Sequence, residues 1–401
     1  MLPLEGIRVI DLTVWFQGPV AGQHLADFGA EVIHVERPQG GDLGRGVRTI
    51  KAVPVGDWNQ YFLVINRNKK SLAVDLNKPA GREIMAKLVR ESDVFLTNVG
   101  EDNLAKWELT YDSLREVNPR LVYALCSGYG QFGAKNKPSF DMTVQALTGI
   151  MARLGEPGQP PIYLGMGSGD AVGGLMCALG VMLALQHRRK TGRGQLVNAS
   201  LYGAQLFLAA PTLQAYLATG DESFAKQQSR SDAPNPLWNT YAAHDAWLFV
   251  CATNTDEEWS TLCQTFDDDA LAWDARFDSA EKRAGNRELV AELDDRIGQR
   301  SASEWTERWR AAGIPCAPID NLAALAQDQQ AWANDYFLKT HCEEVNREVT
   351  VRGLPIGLSK TPGSVRSLGP ELGQHTEELL VDTLGYSWED IGSLKEQGAI
   401  L

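Results

Sequence analysis

The stretch that most constrains this chain is its beginning. Ile7, Val9, Ile10 and Leu12 form a short apolar run suited to a strand buried on both faces. Gly18 and Pro19 then punctuate a loop, residues 21–28 read as a helix, and Gly29 stands where a left-handed C-terminal cap is needed. Residues 31–35 supply a second strand. Two strands joined through a helix run parallel, because only a crossover connection can bring the chain back to start in the same direction. That predicts an open parallel sheet with helices on its faces.

The pattern continues. Residues 71–74, 93–97, 121–127 and 195–200 read as further strands, with helices over 81–90 and 111–117. Helices are expected to dominate 142–186, and 201–219 to form one long helix bent at Pro211. After Gly220 the chain is polar as far as Asn235, then strand and helix patterns alternate to about Asp320, and the tail from Thr376 is largely helical again. The expected class is α/β. A large Rossmann-like parallel-sheet domain comprises residues 1–220, a smaller α/β domain comprises 235–320, and a return segment, 321–401, completes the large one.

Composition excludes several functions. Among 401 residues, 38 Lys and Arg face 51 Asp and Glu, a net charge of −13. Phosphate would repel such a chain, so general nucleic-acid binding is not expected, and an anionic ligand needs a local basic cluster. Residues 1–6 carry no basic leader region, and the longest apolar stretch, 171–186, stops at His187, Arg188, Arg189 and Lys190, short of spanning length. No membrane partner is therefore expected. Six cysteines without a CxxC pair fit free thiols in a reducing cytoplasm, and the six dispersed histidines offer no metal site.

The motifs narrow the chemistry. Glu36 ends the second strand where an acid could grip a ribose, yet the first turn, residues 11–19, lacks the GxGxxG of dinucleotide sites. One GxGxxG match, Gly128 to Gly133, is followed by a polar run, 134–138, that ends in proline instead of a helix. No GxxxxGK[ST] exists, and Ser168 is flanked at two residues by Met166 and Asp170, so neither a P-loop nor a hydrolase elbow is present. Asp170 stands among five glycines, at 165, 167, 169, 173 and 174, just before an apolar helix. Its plain reading is a helix N-cap; its functional reading is a nucleophile on a flexible turn beside backbone N–H donors. Arg37 and Asn98 fall at strand carboxyl ends, the side where open α/β sheets bind ligands, which suggests an anionic ligand along that edge.

These residues bring the chain close to a known family. Residues 4–11, Gly18-Pro19, 25–37, 66–71, Gly128-Tyr129-Gly130, 192–195 and 372–378 resemble, in order, the landmarks of the class III CoA-transferases, a family that also includes the α-methylacyl-CoA racemases. The resemblance implies an interlocked homodimer, a CoA thioester as substrate with a carboxylic acid as acceptor, and no prosthetic group. It places the nucleophilic aspartate at Asp170 and CoA contacts at Gln17, Arg37, Asn98 and Lys106, where Lys106 replaces a more usual arginine. The alternatives it leaves are a racemase and a non-catalytic CoA-binding protein. A racemase needs a histidine before Asp141, and this chain has Phe140 there, which cannot accept a proton.

Overall fold

A computed structural model describes residues 1–51, 55–133, 138–267 and 270–401. The polar run after Gly133 lies largely outside them. The chain forms two compact units, one of Met1–Ile150, Tyr163–Gln214 and Gln330–Leu401, the other of Met151–Ile162 and Ala215–Gln329.

The larger unit is built on six strands: β1 (Arg8–Leu12), β2 (Glu31–Glu36), β3 (Lys70–Ala73), β4 (Val94–Thr97), β5 (Val122–Ser127) and β6 (Leu196–Ser200). They pair in the order β3-β2-β1-β4-β5-β6, all parallel, so the order reverses between β1 and β4. Ile10 lies level with Ile33 on one side and Phe95 on the other. One face of the sheet, with Ile10, Ile33 and Leu72, packs on Ile84, Met85 and Leu88 of a helix at Pro79–Arg90 and on the C-terminal Leu380 and Leu394. The other face, with Val9, Val32 and Val94, packs on two helices, α1 (Gln17–Asp27) and α2 (Ser168–Thr191). Each fully buried aliphatic side chain contributes about 1.5–3 kcal/mol.

Gly29 terminates α1 as expected, at φ 102°, with its N–H on Ala26 O and that of Ala30 on Leu25 O, a Schellman pattern. Further along, the structure corrects three expectations. The interval 148–167 is turns and irregular chain, not helix. The segment 201–219 is two helices, α3 (Leu201–Leu208) and a second at Ala210–Thr219, because Pro211 falls in the first turn of the second helix, where its missing N–H costs nothing. Helix α2 runs beyond the apolar stretch at both ends; with 24 residues it is long and apolar enough to cross a membrane by length and composition. Its buried face packs on α1 and the sheet.

The smaller unit has an antiparallel sheet of β7 (Trp238–Ala242), β8 (Trp247–Cys251) and β9 (Cys316–Pro318). Helices at Arg287–Ile297 and Ala302–Ala311 cover it, and Trp305 stacks on Trp309 at 5.4 Å in a core with Phe277 and Leu293. A hairpin of β10 (Phe337–Cys342) and β11 (Arg347–Arg352) belongs to the larger unit and is absent from the sequence reading.

Candidate active site

Where the sheet order reverses, the chains leaving β1 and β4 diverge and open a crevice at the carboxyl ends of the strands. Two adjoining cavities occupy it. The smaller, about 310 Å³, lies over β1 to β3 and is lined by Arg37, Glu36, Asn77 and Trp107 among others. The larger, about 1150 Å³, lies over β4 and β5; Gln17, Asn98, Asp141 and Asp170 all line it. The structure thus brings Gln17, Asn98 and Asp170 together and places Arg37 next door. Lys106 lines neither cavity. It is exposed, and its Nζ donates to Asn77 Oδ1 at 2.8 Å, at the edge of the smaller one.

Glycines let the two helices of this face approach. A Cβ on Gly173 would fall 2.7 Å from Gln17 Nε2, and one on Gly174 would fall 2.6 Å from the Gln17 carbonyl. Gln17 opens α1, is 5% exposed, and donates through Nε2 to Ala199 O at 3.2 Å. Asn98 is committed to the loop after β1: its Oδ1 accepts from Val14 N at 2.9 Å and its Nδ2 donates to Val14 O at 2.7 Å. Arg37 is exposed and donates through Nε to Gly41 O.

Asp170 is neither an N-cap nor on a flexible turn. Gly167 caps α2 at φ 79°, and Asp170 sits in the first turn. The loop ahead of it is clamped. Gln145 Nε2 donates to Gly165 O at 3.0 Å, and its Oε1 accepts from Leu164 N at 2.9 Å. Asp141 Oδ1 accepts from Gly169 N at 3.1 Å and from Gln205 Nε2 at 2.8 Å, while its Oδ2 accepts from Gln145 Nε2. Gly169 has no room for a side chain, since a Cβ would lie 2.4 Å from Asp141 Oδ1. Burial first, and the Asp141 charge second, push Asp170 up to about pKa 7. The positive end of α2 acts the other way, and desolvation prevails. Burial, then Asp170 and Asp42, also push the Tyr61 hydroxyl up.

A buried ionic cluster holds the loops beneath the crevice. Lys69 Nζ donates to Asp11 Oδ2 at 2.7 Å, Asn66 Oδ1 at 2.8 Å and Pro19 O at 2.9 Å. His34 lies between Asp11 and Asp42, at 3.3 and 3.4 Å. Burial alone would lower its pKa, but Asp11 and Asp42 together raise it to about 9. Asp42 Oδ1 accepts from Gly44 N and Trp15 N, and Glu36 accepts from Arg45 and Ser71. Glu36, at the position of a ribose-binding acid in dinucleotide sites, is thus satisfied internally, in keeping with the missing glycine motif.

Sequence reasoning missed this cluster and the Asp141–Gln145–Gln205 clamp. Asp11, His34 and Lys69 are far apart in the chain, and only strand register brings them together. Asp141 had one local signal, a carboxylate opening a helix (Asp141–Leu147) just after Pro138. Among the described residues, no three potential ligands converge on a metal site.

Comparison with known proteins identifies the family and the fold. The family model for CoA-transferase family III matches residues 4–376. The succinyl-CoA–D-citramalate CoA-transferase of Chloroflexus aurantiacus is 32% identical over 99% of this chain and 98% of its own. The human succinyl-CoA:glutarate CoA-transferase is 30% identical over 99% of this chain and 90% of its own. Among solved structures, a CAIB/BAIF family protein from Brucella suis superposes with a TM-score of 0.83 at 29% identity, covering 95% of this chain and 99% of its own. The chain belongs to CoA-transferase family III and is a CoA-transferase.

Proposed function

We propose that the enzyme moves CoA from an acyl-CoA to a free carboxylic acid through covalent intermediates on Asp170. The observation that carries this is the placement of Asp170: a desolvated carboxylate in the first turn of α2, facing the large cavity and held by a clamped loop. Ionised Asp170 attacks the thioester carbonyl, releasing CoA thiolate and forming a mixed anhydride. The thiolate attacks the aspartyl carbonyl, the donor acid leaves, and CoA is held as an aspartyl thioester. The acceptor carboxylate attacks that thioester and expels the thiolate, giving a second anhydride. Thiolate attack on its acyl carbonyl releases the new acyl-CoA and restores Asp170. Splitting one exchange into covalent steps lowers each barrier. A desolvated carboxylate is a stronger nucleophile, and a dry cavity protects the anhydrides from hydrolysis. No prosthetic group enters the scheme.

In the same reading, Arg37 meets CoA phosphate at the smaller cavity, with Lys106 beside it, while Gln17 and Asn98 shape the passage to Asp170. The working unit is a homodimer, supported by an apolar stripe of Leu175, Leu179 and Leu183 on α2, which the single chain leaves 41%, 52% and 63% exposed; sedimentation of the intact protein as a monomer would overturn it. The six cysteines, none of them joined in a disulfide, fit work in the cytoplasm.

Two variants separate binding from chemistry. Asp170→Ala is expected to bind CoA normally and transfer nothing. Arg37→Ala is expected to bind CoA about tenfold or more weakly, as for one lost charge-assisted contact, and still transfer at saturation. Substantial transfer by Asp170→Ala sinks the mechanism, and unchanged CoA affinity in Arg37→Ala sinks the phosphate assignment. Deuterium uptake at the α-carbon of a 2-methylacyl-CoA, dependent on Asp170, would favour the racemase instead.

A further inference from the structure

The aromatic rings of Trp15, Phe16, Phe132 and Phe140 line the larger cavity together with Asp170. Trp15 meets Phe140 edge to face at 6.4 Å, and Phe16 lies 5.6 Å from Tyr61. The Phe16 ring also lies over Gly167 at the start of α2, where an added Cβ would be 3.7 Å from it. Trp15 has φ 70°, a conformation unusual for a bulky residue, held by its N–H on Asp42 and by the Asn98 grip on Val14. The fold therefore maintains a strained backbone at the point where this ring enters the wall. Phe140 is 54% exposed and Phe132 87%, which leaves ring surface for a ligand to cover.

Among the described residues that line the same cavity, the charges are negative. Glu101, Asp102, Asp112, Asp141 and Asp170 line it, and among its described lining residues there is no Lys, Arg or His. The reacting carboxylate of an acceptor is consumed in anhydride formation. A second carboxylate on the same molecule has no such outlet: it meets aromatic faces, which do not solvate it, and carboxylates, which repel it. An apolar body gains from the same surroundings.

Resting on the reading of this cavity as the site of acid exchange, we propose that the acids this enzyme exchanges are monocarboxylates with an aryl or other bulky apolar body, and not dicarboxylates such as succinate or glutarate. The protein is supplied with 4-methylpentanoyl-CoA as common donor and with 3-phenylpropanoate, succinate or glutarate as acceptor. New acyl-CoA is followed by mass spectrometry. The expected result is a kcat/KM for 3-phenylpropanoate at least about 30-fold above that for glutarate, the factor that burial of one ring commonly contributes. Equal or better use of glutarate or succinate overturns the inference and leaves the exchange site standing. No transfer to any acid, with CoA still bound, overturns the exchange-site reading and this inference with it. A second measurement uses Phe140→Arg, which adds a cation to the wall. It is expected to move the preference toward glutarate by about tenfold or more, and an unchanged ratio in a folded variant overturns the assignment of the wall.

Discussion

The two units of the chain bury different kinds of residue. In the smaller, the core is aromatic and aliphatic, with Trp305, Trp309, Phe277 and Leu293 all buried. Among its described residues the buried polar side chains are few: Asn239, Arg283 and Thr306. The larger unit has a comparable apolar core on each face of its sheet, yet it also buries Asp11, Asp27, His34, Glu36, Arg67 and Lys69. Apolar burial is non-directional and suffices to hold helices on a sheet. It does not fix irregular backbone. Charged hydrogen bonds do, because they are short and directional, and the loops that shape the cavities, around Val14, Trp15 and Asp42, are irregular. Buried charge in this molecule marks where loop geometry matters, not where stability comes from.

The largest test of that contrast is Lys69→Met. It removes one of the two cations held against buried Asp11 and leaves only His34 there, and a cost of about 3–5 kcal/mol is expected for breaking a buried pair. Replacing both partners, Asp11→Leu with Lys69→Met, should recover much of the stability while CoA transfer stays impaired. Denaturant melts paired with activity assays decide this. If the double replacement restores activity too, the charges do not serve loop geometry.

Next in size is Leu293→Ala in the smaller unit, expected to cost about 3 kcal/mol through lost transfer energy and the cavity left behind. No pH dependence is expected, since no charge is involved. A loss that varies strongly between pH 5 and 9 would blur the distinction between the two cores.

The smallest effect is a gain. Asp170 has its folded pKa raised from 3.8 to about 7. A raised carboxylate pKa means that the folded protein holds its proton more tightly than the unfolded chain. The ionised form therefore costs stability that grows as pH rises from 4 through 7. Asp170→Asn should leave stability unchanged at pH 4 and raise it at pH 8 by about 2 kcal/mol, allowing for partial exposure. In the wild type, kcat/KM for CoA transfer should fall on the acid side with a midpoint near 7. A midpoint near 4 would mean that Asp170 is solvated and the cavity is wet.

Much of this was legible in advance because it is local. The opening βαβ unit, the Gly29 cap and the strand ends at Arg37 and Asn98 each depend on a few adjacent residues. What the sequence hid depends on register and packing. The β10–β11 hairpin is short and mostly polar, and its second strand buries just Val349 and Val351 among exposed neighbours. The glycines at 173 and 174 looked like freedom around Asp170, whereas they serve the close approach of Gln17 and α1. Asn98 and Glu36 looked like ligand groups, but each is engaged with the protein itself, which no spacing in the chain reveals.

The edge of the large sheet is finished by residues from the far end of the chain. Ala73 N donates to Thr376 Oγ1, Ser71 N donates to His375 Nδ1, Asp75 N donates to Ala399 O, and Val74 forms a bridge with Ile400. During synthesis, β3 must therefore wait for these partners. At roughly 5–20 residues per second the wait is on the order of tens of seconds, with a sheet edge open and Leu380 and Leu394 not yet made to cover Ile84 and Leu88. Through that interval the partly made large unit exposes apolar surface and an unpaired edge, the features that make such species prone to aggregate.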